Sequence, residues 1–389
     1  MGSQTPPVPL VDHHAHRILR DAAHLSAERY RRCFSESDDP AIVAHVPTTL
    51  LYRQALRLLS APLDCAPAES AILERRAALG TENLTRTLFA DAQIETVLID
   101  SGFARGETLS EPELAEASGA HVLGVLRIEA LAESLLPTAT TFEEFTRRLR
   151  TALRRAPDDG YVALKSIIAY RSGLAVRRPA HAEAVAEWKA LSLRMTREGP
   201  AKGVRLDRPA LLSHVLYLAM DACAERGMPM QLHVGFGDRD VYLPDADPTR
   251  LRALLDDPRY RAVPIVLLHN YPYLRQAGYL AHLYANVYVD VSLAIPLVGP
   301  ASRRVLEELL ELAPSSKVLY ASDAHSIPDL FWLGAYYATH AARTLAEEWI
   351  AGAVCSAREA TRILESIFAE NARAIYGIAA QPKEKRDDR

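Results

Sequence analysis

The chain is poor in cysteine. Four stand far apart in its 389 residues, at Cys33, Cys65, Cys223 and Cys355. Without a CxxC pair they form neither a zinc knuckle nor a disulfide framework, and they read as buried or idle thiols. No apolar run reaches the roughly 18–20 residues that a membrane span needs. Residues 1–9 lack the charged-then-apolar layout of an export signal, so a cytoplasmic protein without a membrane partner is expected. The net charge is only −4 and no basic stripe is present, which argues against nucleic acid as a partner. No GxGxxG or Walker pattern accompanies Gly235 and Gly237, so these glycines read as turn geometry rather than a phosphate cradle. No internal repeat is visible. Lysine is scarce as well, confined to Lys165, Lys189, Lys202, Lys317, Lys383 and Lys385, with arginine carrying nearly all the positive charge. A lysine inside an apolar strand is therefore conspicuous.

What is present is apolar and periodic. Hydrophobic residues make up 49% of the chain, enough to bury a sizeable core. Eight short apolar runs recur: VPLVDH at 8–13, ETVLID at 95–100, HVLGVLRI at 121–128, YVALKSII at 161–168, MPMQLHV at 228–234, VPIVLLH at 263–269, ANVYVDV at 285–291 and KVLYAS at 317–322. Such near-continuous runs suit parallel strands buried on both faces. Between them, stretches such as 141–155, 211–226, 249–255 and 302–312 space Leu and Ala by three and four, as amphipathic helices do. The alternation predicts an α/β fold, a (β/α)8 TIM barrel, as one domain over 1–380. Two insertions interrupt it. Segment 19–85 follows the first strand and reads as several helices, with breaks near 38–40 and 62–67. Segment 171–209 follows the fourth and contains a helix-like stretch at 180–196. Both leave strand C-termini, where barrel active sites sit, so they are expected to cap the site. The charged tail 381–389 is expected to be disordered.

Chemistry-bearing residues gather at the same strand ends. The first strand ends in Asp12-His13-His14-Ala15-His16, and alternation puts His14 and His16 on one face, as two ligands of one ion require. His13 points away and reads as a packing or supporting residue. HxH is weak by itself, but His233 ends the fifth run, His269 the sixth, and Asp323 follows the eighth. Four strands ending in metal-competent residues at one rim are hard to explain as independent core histidines and a helix cap. Lys165 lies within the fourth strand, where an unpaired charge is costly. An ion pair and direct substrate contact are both open for it. Arg171 could hold a substrate carboxylate bidentately or face solvent. Arg127 and Glu129 share a face and suggest an internal ion pair. Trp332, Tyr336 and Tyr337 read as core.

These motifs resemble the amidohydrolase superfamily, and within its family-two branch the amidohydrolase domain at the N-terminus of FluG-type, glutamine-synthetase-linked proteins. The resemblance rests on DHHAH (12–16), VLID (97–100), LRIE (126–129), LKSIIAYRSGL (164–174), QLHVGFGD (231–238), LHNYPYLRQAGYL (268–280), NVYVDVSLAIP (286–296), SDAH (322–325) and FAENARAIYG (368–377). It covers most of the chain outside 19–85. The chain is expected to carry no glutamine-synthetase domain. The resemblance implies His14, His16 and His233 as metal ligands, and Asp323 as ligand and proton shuttle. His269 becomes a ligand of a second metal or the group that polarises the substrate carbonyl. In binuclear relatives a strand-four lysine is carboxylated and bridges two ions, and Lys165 matches that strand. Arg171, with Tyr170 beside it, becomes a substrate-binding residue.

The implied cofactor is one or two Zn2+ ions, with Mn2+ or another divalent metal as substitutes. The implied reaction is hydrolysis of a C–N amide bond in an N-acyl amino acid, γ-glutamyl amide or peptide-like substrate bearing a carboxylate. Non-oxidative decarboxylation or C–C cleavage is the alternative. The retained first histidine of HxH and the strand-four lysine favour hydrolysis. A non-catalytic scaffold would have lost a ligand, and none is missing. A homodimer is the default assembly.

Overall fold

The structure is a computed structural model that describes residues 9–100, 102, 107–198 and 204–380. The tail 381–389, expected to be disordered, lies outside the described residues. Seven parallel strands neighbour one another in chain order. They are β1 Leu10–Ala15, β2 Ile94–Asp100, β3 His121–Arg127, β4 Tyr161–Ser166, β5 Met230–Val234, β6 Ile265–His269 and β7 Val287–Val289. β5 and β6 are buried at every residue, as their unbroken apolar sequences require.

The eighth run corrects the sequence reading. KVLYAS is not a regular strand: Lys317 ends a 3-10 turn, and Asp323 turns into the left-handed region at φ 54°. The segment still joins both edges of the sheet. It bridges β7 at Val289–Val318, the Leu319 N–H donates to the Val289 carbonyl, and the His13 and Asp323 N–H groups exchange bonds with the Tyr320 and His14 carbonyls. Asp12, fully buried on β1, accepts from the Ser322 N–H at 2.9 Å and Oγ at 2.5 Å. The result is a TIM-barrel-like α/β fold.

A second correction concerns alternation along β1. Asp12 faces Val97 and Ala15 faces Ile99, so β1 carries one extra residue at His13–His14. Such a bulge re-aims side chains beside a site. His13 faces the barrel interior with Val11, where its ring stacks on Tyr376, and the extra residue brings His14 to the same side. The interior is a small apolar cluster including Val11, Leu98, Val125, Ala163, Val266, Leu268 and Leu319, and the helix Asn371–Tyr376 packs into it. A much larger apolar layer lies between strands and helices.

The stretch after β1 holds helices Ala27–Arg32, Leu50–Leu59 and Glu69–Ala92. The last runs beyond residue 85 to the start of β2, with a break at Gly80 (φ 72°). The stretch after β4 holds helix His181–Glu198. A buried clamp ties the first stretch to the barrel. Arg76 pairs with Asp329 and donates to the Ala22 carbonyl, and the Tyr30 hydroxyl donates to Asp329 at 3.1 Å. Asp329 begins helix Pro328–Ala351, a few residues beyond Asp323. Removing one partner of such a pair leaves a buried charge unmatched, at a cost of about 3–5 kcal/mol. Asp329→Ala should therefore lower unfolding free energy by about that amount in a denaturant titration. A loss below about 1 kcal/mol, the range of an exposed pair, would show that the clamp carries little stability.

Candidate metal centre

Three donor atoms meet at the C-terminal end of β1. His14 Nε2 lies 3.3 Å and His16 Nε2 3.2 Å from Asp323 Oδ1. Among the described residues, His14, His16 and Asp323 form a buried group whose donor atoms all lie within 4.8 Å of one another. The other ring nitrogens are committed. His16 Nδ1 faces the Asp100 carbonyl at 3.0 Å, to which it can only donate. His14 Nδ1 faces Gln231 Oε1 at 2.9 Å, while Gln231 Nε2 donates to the His13 carbonyl and to the Tyr376 hydroxyl. Both Nδ1 atoms therefore carry the proton, and both Nε2 atoms present a lone pair.

Two imidazole lone pairs and a carboxylate oxygen thus converge, and the His14 lone pair also faces Lys165 Nζ at 3.0 Å. Asp323 Oδ1 and His233 Nε2 are buried without a hydrogen-bond partner among the described residues. Ligands of a tetrahedral ion at about 2.0–2.1 Å stand about 3.3–3.4 Å apart, the spacing found here. The donor set fits a divalent metal ion.

The remaining expected residues surround this point. Lys165 is fully buried, with Nζ 3.0 Å from His14 Nε2. His269 Nδ1 is 3.6 Å from Asp323 Oδ2 and 2.8 Å from Ser292 Oγ. The His233 ring lies between those of His269 and Tyr170, with centroids at 4.4 and 4.3 Å. Gly237 makes room for Tyr170, because a Cβ there would sit 1.9 Å from the phenol oxygen. His269 and Asp323 both adopt left-handed backbone, at φ 73° and 54°. Such conformations cost on the order of 1–3 kcal/mol and persist where the surroundings over-determine them. Here the His269 N–H donates to Asp290 Oδ1 at 2.6 Å, and the Asp323 N–H to the His14 carbonyl.

Burial, with Lys165 nearby, pushes His14 down to about 4. Burial also holds His233 and His269 well below the usual histidine range. Lys165 is lowered to about 8 by burial, against the pull of Asp100 and Asp323. Burial alone would raise Asp323, but His269, His14 and His16 outweigh it and hold the carboxylate well below its normal range. Tyr170 is raised well above 10, chiefly by burial, and so stays a phenol.

A cavity of about 190 Å3 opens over the centre. His16, Lys165, His233, His269 and Asp323 line it together with Tyr170, Arg127, Arg171 and Arg205, and with Glu36, Asp238, Asp240 and His325. Arg171 reaches Glu133 through Nη2 at 3.4 Å, while its Nη1 is buried without a hydrogen-bond partner among the described residues. Arg127 pairs with Asp100 at 2.6 Å rather than with Glu129, which instead accepts from Ser166 Oγ and the Ile167 N–H. The reason is that β3 ends at Arg127 and Glu129 already belongs to helix Ile128–Leu135. Trp332 and Tyr337 are core, as read from the sequence. The sequence reading missed Gln231, although it stands two residues before His233 on β5 and so shares its face. It also missed Glu36 and Arg205, whose places depend on the inserted stretches.

A barrel with a metal-competent cluster at its strand ends points to the metal-dependent enzyme barrels. The sequence matches the model of the family described as amidohydrolase, branch two, over residues 11–378, and the chain belongs to that family. It is an enzyme of the amidohydrolase superfamily. It is similar to the protein fluG of Emericella nidulans, 27% identical over 404 residues that cover 96% of this chain and 46% of the relative. The chain thus spans a little under half the length of that relative. Among solved structures it is similar to one from Lactobacillus casei ATCC 334 assigned to the metal-dependent hydrolases, with TM-score 0.85, 27% identity and 95% of each chain covered. A uronate isomerase from Thermotoga maritima shares the fold, with TM-score 0.64 at 14% identity over 95% of this chain and 94% of its own.

The charge states set an acid limit. Histidines whose folded pKa is depressed refuse protons that the unfolded chain accepts below about pH 6.5, so stability is lost as pH falls from there. His14, His233 and His269 act in this sense, and so does Asp323 at lower pH. Asp12, pushed up to about 7 by burial, and Glu129, raised by the same cause, act in the opposite sense, but these three histidines together with His214, lowered to about 4, outnumber the two carboxyls. Metal-free protein should lose stability steadily between pH 6.5 and about 4 in denaturant titrations. Unchanged stability across that window would contradict the assigned charge states.

Proposed function

We propose that this enzyme hydrolyses a C–N amide bond in a small substrate bearing a carboxylate, such as an N-acyl amino acid, a γ-glutamyl amide or a peptide-like amide. The observation that carries the proposal is the convergence of His14 Nε2, His16 Nε2 and Asp323 Oδ1, with both histidines protonated on Nδ1. These three residues, with His233 completing the set, would hold zinc, which suits nitrogen and carboxylate donors. A bound divalent ion lowers the pKa of water to about 7 and polarises a carbonyl oxygen.

The other steps belong to the chain's own residues. Asp323 enters as a carboxylate, takes a proton from the attacking water and returns it to the leaving nitrogen. His269, near Asp323 Oδ2, steadies the oxyanion. The Tyr170 phenol donates to substrate. Arg171, with a buried Nη1 to spare beside the cavity, receives the substrate carboxylate in a charge-assisted pair. Glu36, from the stretch after β1, and Arg205, from the stretch after β4, line the opening, in keeping with a cap that these stretches form.

Lys165 sets the metal count. Carboxylated on Nζ, it would add oxygen donors beside His14, and with His269 it would hold a second ion; as an amine it would leave a site for one. Burial that lowers its pKa also makes the free amine available to CO2. An intact mass 44 Da above the sequence value would mark the carboxylated form, a shift of about one CO2.

The reaction is tested with a panel of N-acyl amino acids and γ-glutamyl amides in zinc or manganese buffer. Turnover is expected for the wild type, and its loss on combining His14→Ala with Asp323→Asn. Arg171→Met should raise KM by about 10-fold or more, as expected for loss of a charged hydrogen bond, with a smaller change in kcat. Full turnover by the double variant would overturn the mechanism.

A further inference from the structure

An arc of buried polar contacts runs behind the metal centre, through residues that the proposed chemistry does not use. Gln231 lies at one end, bonded to His14 Nδ1. Tyr376, from the last described helix, accepts from Gln231 Nε2 at 2.9 Å and meets His13 Nδ1 at 3.1 Å. His13 Nε2 lies 2.9 Å from Asp290 Oδ2. Asp290 Oδ1 accepts from Ser292 Oγ at 2.8 Å, and Ser292 Oγ reaches His269 Nδ1 at the other end. Gln231, His13, Asp290 and Ser292 are all fully buried.

We infer that Gln231 is a positioning residue, which holds His14 in the Nδ1–H tautomer and so keeps its Nε2 lone pair aimed at the metal position. The inference rests on the metal reading above. The argument turns on which way the amide lies. As placed, Nε2 faces two acceptors, the His13 carbonyl and the Tyr376 oxygen, and Oε1 faces His14. Turned over, Oε1 would meet the His13 carbonyl oxygen, two acceptors in contact, while Nε2 would meet His14 Nδ1. That arrangement demands the opposite tautomer, which puts a proton on Nε2 where the ion belongs. The His13 carbonyl, fixed by β1, makes the first orientation the lower in energy. Tyr376 reinforces it, its hydroxyl accepting from Gln231 and turning its own O–H toward His13 Nδ1. Groups that orient a ligating histidine in this way are worth about 10- to 100-fold in metal affinity.

The test compares Gln231→Leu, Gln231→Glu and Tyr376→Phe with the wild type. Zinc dissociation constants come from chelator competition, and the His14 ring state from nitrogen-15 NMR of metal-free protein. Gln231→Glu keeps an acceptor against His14 Nδ1 but sets an oxygen against the His13 carbonyl, so it should weaken zinc less than Gln231→Leu does. Gln231→Leu should weaken zinc by about 10- to 100-fold. Tyr376→Phe, which leaves the His13 carbonyl in place, should fall between them. A residue that merely fills space gives the reverse order, because leucine fills the volume and glutamate buries a charge; that order would overturn the inference. The NMR arm should show the proton on Nδ1 in the wild type and lost from it in Gln231→Leu. A wild-type His14 protonated on Nε2 would also overturn it. That arm needs no zinc, so a wild type that binds none would sink the metal reading while the ring state still judges Gln231.

Discussion

The seam between β1 and the segment from Val318 to Asp323 is the contact on which the site depends. Two histidines come from one side of it and the aspartate from the other. The Asp323 N–H bond to the His14 carbonyl sets their spacing. Asp12 secures the same seam through Ser322. Barrel closure and ligand assembly are therefore one event. A chain whose first and last strands failed to meet would lose the centre as well as the fold. The clamp of Arg76 and Asp329 lies close behind this seam, which links the stretch after β1 to the segment that carries Asp323.

The centre gathers polar groups where burial penalises them. Each is kept because a neighbour takes up its proton or lone pair. His16 leans on a backbone carbonyl and His14 on Gln231, which leaves their Nε2 lone pairs facing Asp323 Oδ1, while His269 leans on Ser292 beside them. A cation at that point would complete the arrangement. The left-handed backbone at His269 and Asp323 belongs to the same economy, since their N–H groups are anchored by Asp290 and His14.

Much of this was legible in the sequence. Strands β1 to β7 follow from apolar runs, because burial on both faces leaves a continuous signal. HxH marked the centre, because strand periodicity carries two side chains to one side; yet the bulge at His13–His14 breaks strict alternation, and no pattern of residue types announces a bulge. The eighth run looked like a strand from its composition. It is held by bonds to both neighbours without regular extended geometry, since Asp323 must turn to reach the histidines. The partner of Arg127 proved to be Asp100, because the helix begins one residue after β3 ends. Glu36 and Arg205 depend on how long inserted stretches fold back, which is set by tertiary packing rather than by local pattern.

The central claim is that His14, His16 and Asp323 hold one ion in common. Zinc-edge X-ray absorption on protein loaded with one equivalent of zinc tests it directly. The account predicts nitrogen and oxygen scatterers at about 2.0–2.1 Å in about four-fold coordination, with the outer-ring signature of at least two imidazoles. That imidazole signature should be lost on replacing His14 and His16 together. A six-oxygen shell without imidazole, or a spectrum unchanged by the double replacement, would contradict it.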